Sequence, residues 1–464
     1  MSGGNDIKYL LGDPRAAIRR MFLPFFIAFA VVEINNFVDT YWVAGLGSQS
    51  AQSVATIIPI YDLLVCVGIG IGIGSTTTIA YRIGHGDNAD ACRLAGNSVS
   101  VGIISSVLFS IIIAIAINPA IDMLGAGNVR DEALQYMIPL IVLSPLLFLN
   151  SILGGTLRGE GAAKKSTAIQ MSTAILNIVF DPILIYSCGM GVMGAGLATA
   201  LASGVSVSIG LYWYYTGRTQ VRIGRPDLRP DKQTIRELLD VGGPAALRQG
   251  ISDMTNLLQR VFIVMAGGTT AVMLYNYPWK YINIVALPTK SLDAAMIPVC
   301  SAAFGQSDIE KMRAGYRYTL KYAVSLSLIF AVVMIVFATP LMSILTYEES
   351  MQELLPQLAW TLSVSAILVP FNAMMGVSSS LLQSMKKARI PMYFYLSWGF
   401  VKLILFAIAA MGWMGIDPFQ GIIYSMVGLY IVGGFFMLFV ARREFAKIER
   451  DLAGESASDL LSVP

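Results

Sequence analysis

The sequence predicts an all-α membrane protein of twelve transmembrane helices, arranged as two pseudo-symmetric six-helix bundles around a central cavity. Three observations predict it. Apolar residues make up 55% of the chain against 13% charged, and the mean hydropathy is +0.66, which is more apolar surface than a soluble domain can bury. Windows of about 20 mostly apolar residues, the length that crosses a bilayer core, recur along almost the whole chain. Lysine and arginine collect in alternate connections, as they do where basic loops resist translocation.

The N-terminal stretch 1–20 is polar and basic, and the first apolar window carries Glu33, Asn35, Asn36 and Asp39. A cleavable signal sequence would not, so this window is expected to stay as the first span. The windows fall at about 18–43, 52–81, 94–117, 132–156, 166–187 and 192–215, then at 241–267, 271–300, 316–338, 354–384, 390–414 and 419–441. In the second, Gly68-x-Gly70-x-Gly72-x-Gly74 has no strand before it and reads as a surface for close helix packing, not a nucleotide loop. His85 follows in a short turn and reads as solvated. The longest polar interruption, Arg218 to Glu237 with Pro226 and Pro230, separates an N-terminal lobe (1–217) from a C-terminal lobe (241–443). The linker is then 218–240 and the tail 444–464. Tyr275, Tyr277, Trp279 and Tyr281 open the eighth span and read as an interfacial belt ahead of the alternative, a cavity lining.

One set of connections receives Arg15, Arg19 and Arg20, then Arg82 and Arg93, then Arg158, Lys164 and Lys165, and the linker arginines. The second half repeats this with Lys311, Arg313 and Arg317, then Lys386, Lys387 and Arg389, and finally Arg442 and Arg443. The opposite loops hold Arg130 alone, beside Asp122, Asp131, Glu132, Glu348, Glu349, Glu353 and Asp417. Both termini are therefore expected in the cytoplasm of a plasma-membrane protein, with an even number of spans.

The halves read as copies. Gly84-His85-Gly86-Asp87 after the second span answers to Gly305-Gln306-Ser307-Asp308 after the eighth. Arg19-Arg20 through Pro24 answers to Arg236-Glu237 through Pro244, and Leu157-Arg158 to Leu382-Gln383. The order and spacing are those of a duplicated six-helix unit, which packs with a cavity near the bilayer midplane and rocks about it.

The first span, Pro24…Asn36-x-x-Asp39-x-Tyr41-Trp42-Val43-x-Gly45-Leu46-Gly47, resembles the opening helix of the multidrug and toxic-compound extrusion (MATE) family, in its prokaryotic and archaeal DinF-like branch. Leu157-Arg158-Gly159-Glu160-Gly161, Asn177-x-x-x-Asp181-Pro182-Ile183 and Gly191-x-x-Gly194-Ala195-x-x-Ala198-Thr199 look like its fourth, fifth and sixth helices. The resemblance implies export of amphiphilic compounds in exchange for protons or sodium. It implies that Asp39 and Asp181 carry the coupling ion, possible sodium included, with Asn177, Asn36 and Thr199 as polar partners and a helix bend at Pro24. Asn35 stands where the family is expected to have tyrosine.

Acids inside spans cost enough to be functional candidates. Glu33 joins the coupling set, and Asp62 joins a candidate substrate set with Arg248, Asp253, Arg260, Lys280 and Lys290. The competing reading has Asp181 capping a kink at Pro182 and Asp39 reaching the interface. Lys290 and Asp293, three apart, are expected to pair, and the cavity is expected to be acidic on its first-lobe wall and basic on its second. That polarity raises an alternative: a flippase or exporter of an anionic or zwitterionic lipid-like substrate. Cys66, Cys92, Cys188 and Cys300 show no paired spacing and read as small core residues. No metal cluster, phosphate loop or nucleophile with a base is visible, so an enzyme is not expected. No cofactor is expected beyond the coupling ion. The expected partners are a small-molecule or lipid-like substrate and membrane lipid, without nucleic acid, and the expected state is a monomer.

Overall fold

The computed structural model describes residues 3–123, 127–346 and 352–461; Glu348 and Glu349 lie outside them. Ten helices are long and apolar enough to cross a bilayer. A bent pair, Arg130–Val142 and Ser144–Gly159 at 58°, makes one further span. The 74-residue run Lys232–Gly305 is two helices meeting at Gly267 and Gly268, where Gly268 has φ 62° and ψ −146°. Twelve crossings therefore stand among the described residues, six in each lobe.

In chain order the helices are α1 (Gly3–Leu10), α2 (Pro14–Ala44), α3 (Ser48–His85), α4 (Asn88–Met123), α5 (Arg130–Val142) and α6 (Ser144–Gly159). They continue with α7 (Ala163–Pro182), α8 (Val192–Tyr215), α9 (Lys232–Gly305), α10 (Ile309–Val336) and α11 (Ala338–Leu345). The last four are α12 (Leu355–Ala366), α13 (Leu368–Ser384), α14 (Arg389–Ala410) and α15 (Pro418–Leu461). The ends that carry the basic connections form one face of the molecule, here the basic end; the other is the distal end.

Helix starts at the basic end are set by aspartates whose carboxylates accept orphan backbone N–H groups. Asp13 accepts from Ala16 N at 3.1 Å, Asp231 from Thr234 N at 2.8 Å and Asp308 from Lys311 N at 3.0 Å. The duplication shows in the backbone. Among the described residues two that are not glycine adopt the left-handed conformation, Ser307 (φ 54°) and Lys386 (φ 57°). Their counterparts in the first half are glycines in that same conformation, Gly86 (φ 92°) and Gly161 (φ 80°). The repeated turns need the geometry and only the first half keeps the residue that adopts it without strain.

The seam between lobes is built on α3. Its alternate glycines face two partners: an added Cβ on Gly68 would meet Phe148 and one on Gly72 would meet Ser151, both of α6, whereas Gly70 and Gly74 abut Ala246, Leu238 and Gly242 of α9. Nearer the basic end Gly84 lies against Ala302 and Gly305 against Tyr81. Without side chains between them the backbones touch. Arg82 of α3 donates to Glu237 at 2.7 Å, and Lys386 donates to the other oxygen of Glu237 at 2.7 Å. Lys311 Nζ donates to Leu11 O at 3.1 Å. Among the described residues every hydrogen bond between the lobes lies at the basic end, so the cleft is shut there.

The segment 216–231 between lobes holds one short turn, Pro226–Leu228, and is fastened to the first lobe. Asn97 donates to Asp227 O at 3.0 Å and accepts from Asp231 N at 2.8 Å. Glu160, 1% exposed, accepts from Gln220 N and Val221 N through one oxygen, while the other is buried without a partner. Burial pushes the Glu160 carboxyl up to about 7 against these two N–H groups.

Several expectations are corrected. Helix α1 lies where only a polar stretch was expected; Arg20 stacks on Tyr9 with the guanidinium 3.7 Å from the ring centroid. His85 is not simply solvated: its Nδ1 is 3.3 Å from Gly305 O across the seam. The aromatic group of the eighth span packs inward. Tyr275 is buried and stacks on Trp279 at 5.3 Å, and Tyr281 donates to Leu341 O at 2.6 Å. Cys66 and Cys300 are buried, but Cys188 is exposed and Cys92 is half-buried.

Candidate functional site

Two polar groups inside the spans have the geometry of a candidate site. The first is in the distal half of the N-terminal lobe. Helix α2 places Asp39 five residues before its distal end, about 8 Å along the axis, and Asn35 one turn earlier on the same face. Helix α7 ends at Pro182, which cannot continue the backbone ladder; a π-turn over Ile183–Ser187 follows. Asp181 therefore sits in the last regular turn, with Asn177 one turn before it. Asn35 Nδ2 donates to Asn177 Oδ1 at 3.0 Å, and Asn177 Nδ2 donates to Asp181 Oδ1 at 3.0 Å. The Asp39 and Asp181 carboxyls stand within hydrogen-bonding reach of each other. Asp181 is fully buried and Asn177 4% exposed. Asp39 Oδ1, Asp181 Oδ2 and Asn35 Oδ1 are buried with no partner. Tyr186 of the π-turn donates to Trp42 O at 2.6 Å, tying the two helix ends together.

The amide that reaches this cluster is thus Asn35 and not Asn36, which is exposed and lends its carbonyl to Thr40. The helix turns Asn35 toward α7 and Asn36 away from it. Thr199 bonds its own helix at Ala195 O and makes no hydrogen bond to the acids. Glu33 lies on the cleft side of α2, in the electrostatic neighbourhood of Lys290. Helix α2 runs unbroken through Pro24. Tyr61 and Tyr136, which sequence reasoning missed, stand near Asp39; each sits in an apolar pattern that marks it only as core.

The second group lines a central cavity of 490 Å³ between the lobes. Its floor and walls come from α2, α3, α6 and α7 of the first lobe and α9 and α13 of the second. Arg158, Arg248, Lys290 and Asp293 are its charged residues. Of the candidate substrate set, Arg248 and Lys290 reach this cavity. Asp62 faces Asp253 and Arg260 nearer the distal end, where Gln249 donates to both Asp253 oxygens. Lys280 is apart from both groups, its ammonium 5.4 Å from the Tyr277 ring centroid.

Lys290 and Asp293 form no ion pair, contrary to expectation. Asp293 turns instead toward Arg248 and packs its carboxyl where Gly376 has no Cβ. The division into an acidic and a basic wall also fails here, because Arg158 enters from the first lobe. Sequence reasoning missed it: Arg158 sits two residues past its apolar window and counts with the loop, whereas α6 continues to Gly159. A larger space of 700 Å³ lies between α3 and α4 of the first lobe and α9 and α14 of the second. Among the described residues no charged side chain lines it.

The MatE family model matches residues 24–183 and 244–408, one stretch in each lobe. The chain is 24% identical over 320 residues to the multidrug export protein MepA of Staphylococcus saprophyticus, covering 68% of this chain and 70% of that one. It is 21% identical over 338 residues to an FAD transporter of Shewanella oneidensis, covering 72% and 75%. Among solved structures it is similar to a MOP-superfamily transporter of Pyrococcus furiosus, described as having a binding pocket of reverse polarity that suggests a different function. The TM-score is 0.90 at 26% identity, over 97% of this chain and 100% of that one. These relatives are transporters. With twelve spans in two related bundles, and the family pattern in both, the chain belongs to the MATE family of membrane transporters.

Proposed function

We propose that this protein exports amphiphilic small molecules across the plasma membrane in exchange for an inward-moving proton or sodium ion, by alternating access between its lobes. The carboxyl pair carries the reading. Two carboxyls in contact in a buried site cannot both ionise without positive charge between them, and three oxygens of the Asp39–Asp181–Asn35 group lack a donor. A proton or a sodium ion supplies what is missing. With the basic end in the cytoplasm, the cleft is shut inward, and the coupling group lies on the side from which the ion arrives. Pro24 has no N–H for the Arg20 carbonyl, so α2 can bend there and shift Asp39 against Asp181. The MepA relative supports a drug-sized substrate, and the cavity volume suits one.

Purified protein in proteoliposomes tests this. Dye efflux is measured with proton and sodium gradients imposed separately; one of them should drive it. Asp39→Asn and Asp181→Asn should each cut gradient-driven flux at least tenfold while leaving substrate binding intact. Wild-type flux in both variants would remove the carboxyl pair from the mechanism.

A further inference from the structure

The two-fold relation between lobes gives each cavity residue a counterpart. Counted from the paired turns and prolines, Ile69 answers to Lys290, Ile73 to Ala294 and Thr76 to Ile297, and all six line the cavity. Arg158 answers to Gln383, and both line it as well. Even the glycine contact repeats, Gly72 on Ser151 in the first lobe and Asp293 on Gly376 in the second. The cavity is therefore built by duplication, and its charge departs from that symmetry. Lys290 has the neutral counterpart Ile69, Arg158 has Gln383, and Arg248 has Ala28. Helix packing alone does not require these cations, since the neutral counterparts pack in equivalent places.

The cations are also short of partners. Three cations and one carboxylate, Asp293, line the cavity; Glu33 lies in the neighbourhood of Lys290 and Asp253 in that of Arg248, outside the lining. Among the described residues none of the ion pairs within 4.0 Å includes Arg158, Arg248 or Lys290, and Arg248 Nε is buried without a hydrogen bond. Arg248 rests against Tyr395, 5.3 Å from the ring centroid. Gln383 donates to Ser379, which leaves its own buried oxygen free. Cations at membrane depth that line a cavity without an ion-pair contact are expensive unless a ligand meets them. The rest of the wall, with Phe29, Ile69, Ile73 and Ile297, suits an apolar body.

We infer that the central cavity binds the anionic group of an amphiphile, a carboxylate or phosphate, between Arg158 of the first lobe and Arg248 and Lys290 of the second. The anion bridges the lobes and offsets the repulsion that like charges exert across the cleft. The inference deepens the export reading and rests on it for direction of movement, but binding itself needs no gradient.

The test uses the purified full chain and two dyes with one tricyclic skeleton and opposite charge, carboxyfluorescein and rhodamine 123, followed by fluorescence anisotropy. Carboxyfluorescein should bind at least tenfold more tightly. Arg158→Gln, Arg248→Gln and Lys290→Gln should each weaken it about tenfold or more, while Arg158→Lys, which keeps the charge, retains most of it. Displacement by dihexanoyl phosphatidate marks a lipid-linked anion as the natural source, and displacement by hexanoate alone marks a soluble one. Tighter rhodamine binding, or carboxyfluorescein binding unchanged in all three neutral variants, overturns the inference. Carboxyfluorescein binding with no gradient-driven flux of either dye overturns the export reading and leaves the site standing; gradient-driven flux of rhodamine alone does the reverse.

Discussion

Asn177 holds the distal cluster together, since its amide accepts from Asn35 and donates to Asp181. Removing that amide strips a buried carboxyl of its donor, a loss of about 1.5–3 kcal/mol. Asn177→Ala should therefore weaken apparent affinity for the coupling ion by roughly tenfold to a hundredfold, measured as the half-saturating ion concentration for efflux. Glu160 predicts a pH effect. Its carboxyl is pushed up to about 7 by burial, so the folded state holds a proton that the unfolded chain releases at lower pH. Its contribution is complete below the ordinary glutamate range and is lost as pH rises through about 7. Glu160→Gln, which stays neutral, should raise Tm by several degrees at pH 8 and leave it nearly unchanged at pH 4, read by thermal denaturation in detergent. The acids of the cluster were legible because a carboxyl inside an apolar window is costly and conspicuous. Arg158 and Glu160 were not, because they lie just past the window, where charge is ordinary; only the folded helix shows that both turn inward.

At the scale of elements, the apolar windows located every span, yet most helices overrun them. Hydropathy marks the part of a helix that lies in lipid, while capping marks where the helix stops. Thus α3 continues to its Gly86 cap, and α9 begins at its Asp231 cap, well before the apolar window. The break in the fourth span at Leu143 left no signal, since proline is tolerated in other spans without one. The glycine series of α3 was legible as a packing surface, but its division between α6 and α9 needed the structure. A side chain at Gly74 would meet Leu238 O at 2.7 Å, backbone that cannot step aside. Gly74→Leu should hold the lobes apart at the basic end while Gly86→Asn, at a left-handed turn open to solvent, should be tolerated. Cysteine accessibility along α3 checks both.

At the scale of the whole molecule, the shut basic end depends on one carboxylate serving two cations, Arg82 from the first lobe and Lys386 from the second. Charge-assisted hydrogen bonds of this kind contribute about 1.5–3 kcal/mol each, enough to move a two-state balance by an order of magnitude or more. Glu237→Gln should shift the population toward separation at the basic end, and Arg82→Glu combined with Glu237→Arg should restore it. Spin-label distances between positions 88 and 308 would read the shift. Two related halves were legible in the repeated turns; how they meet was not, because Arg82, Glu237 and Lys386 belong to three connections that read separately as solvated loops.

The strand of chain that passes from one lobe to the other has little slack. Asn97 and Glu160 grip it on either side of 222–226, so what looks like a leash is a brace belonging to the first half. Severing it within those residues would leave both cut ends anchored to the same partner. Two separately encoded fragments divided there should still find each other in the membrane and work as the intact protein does.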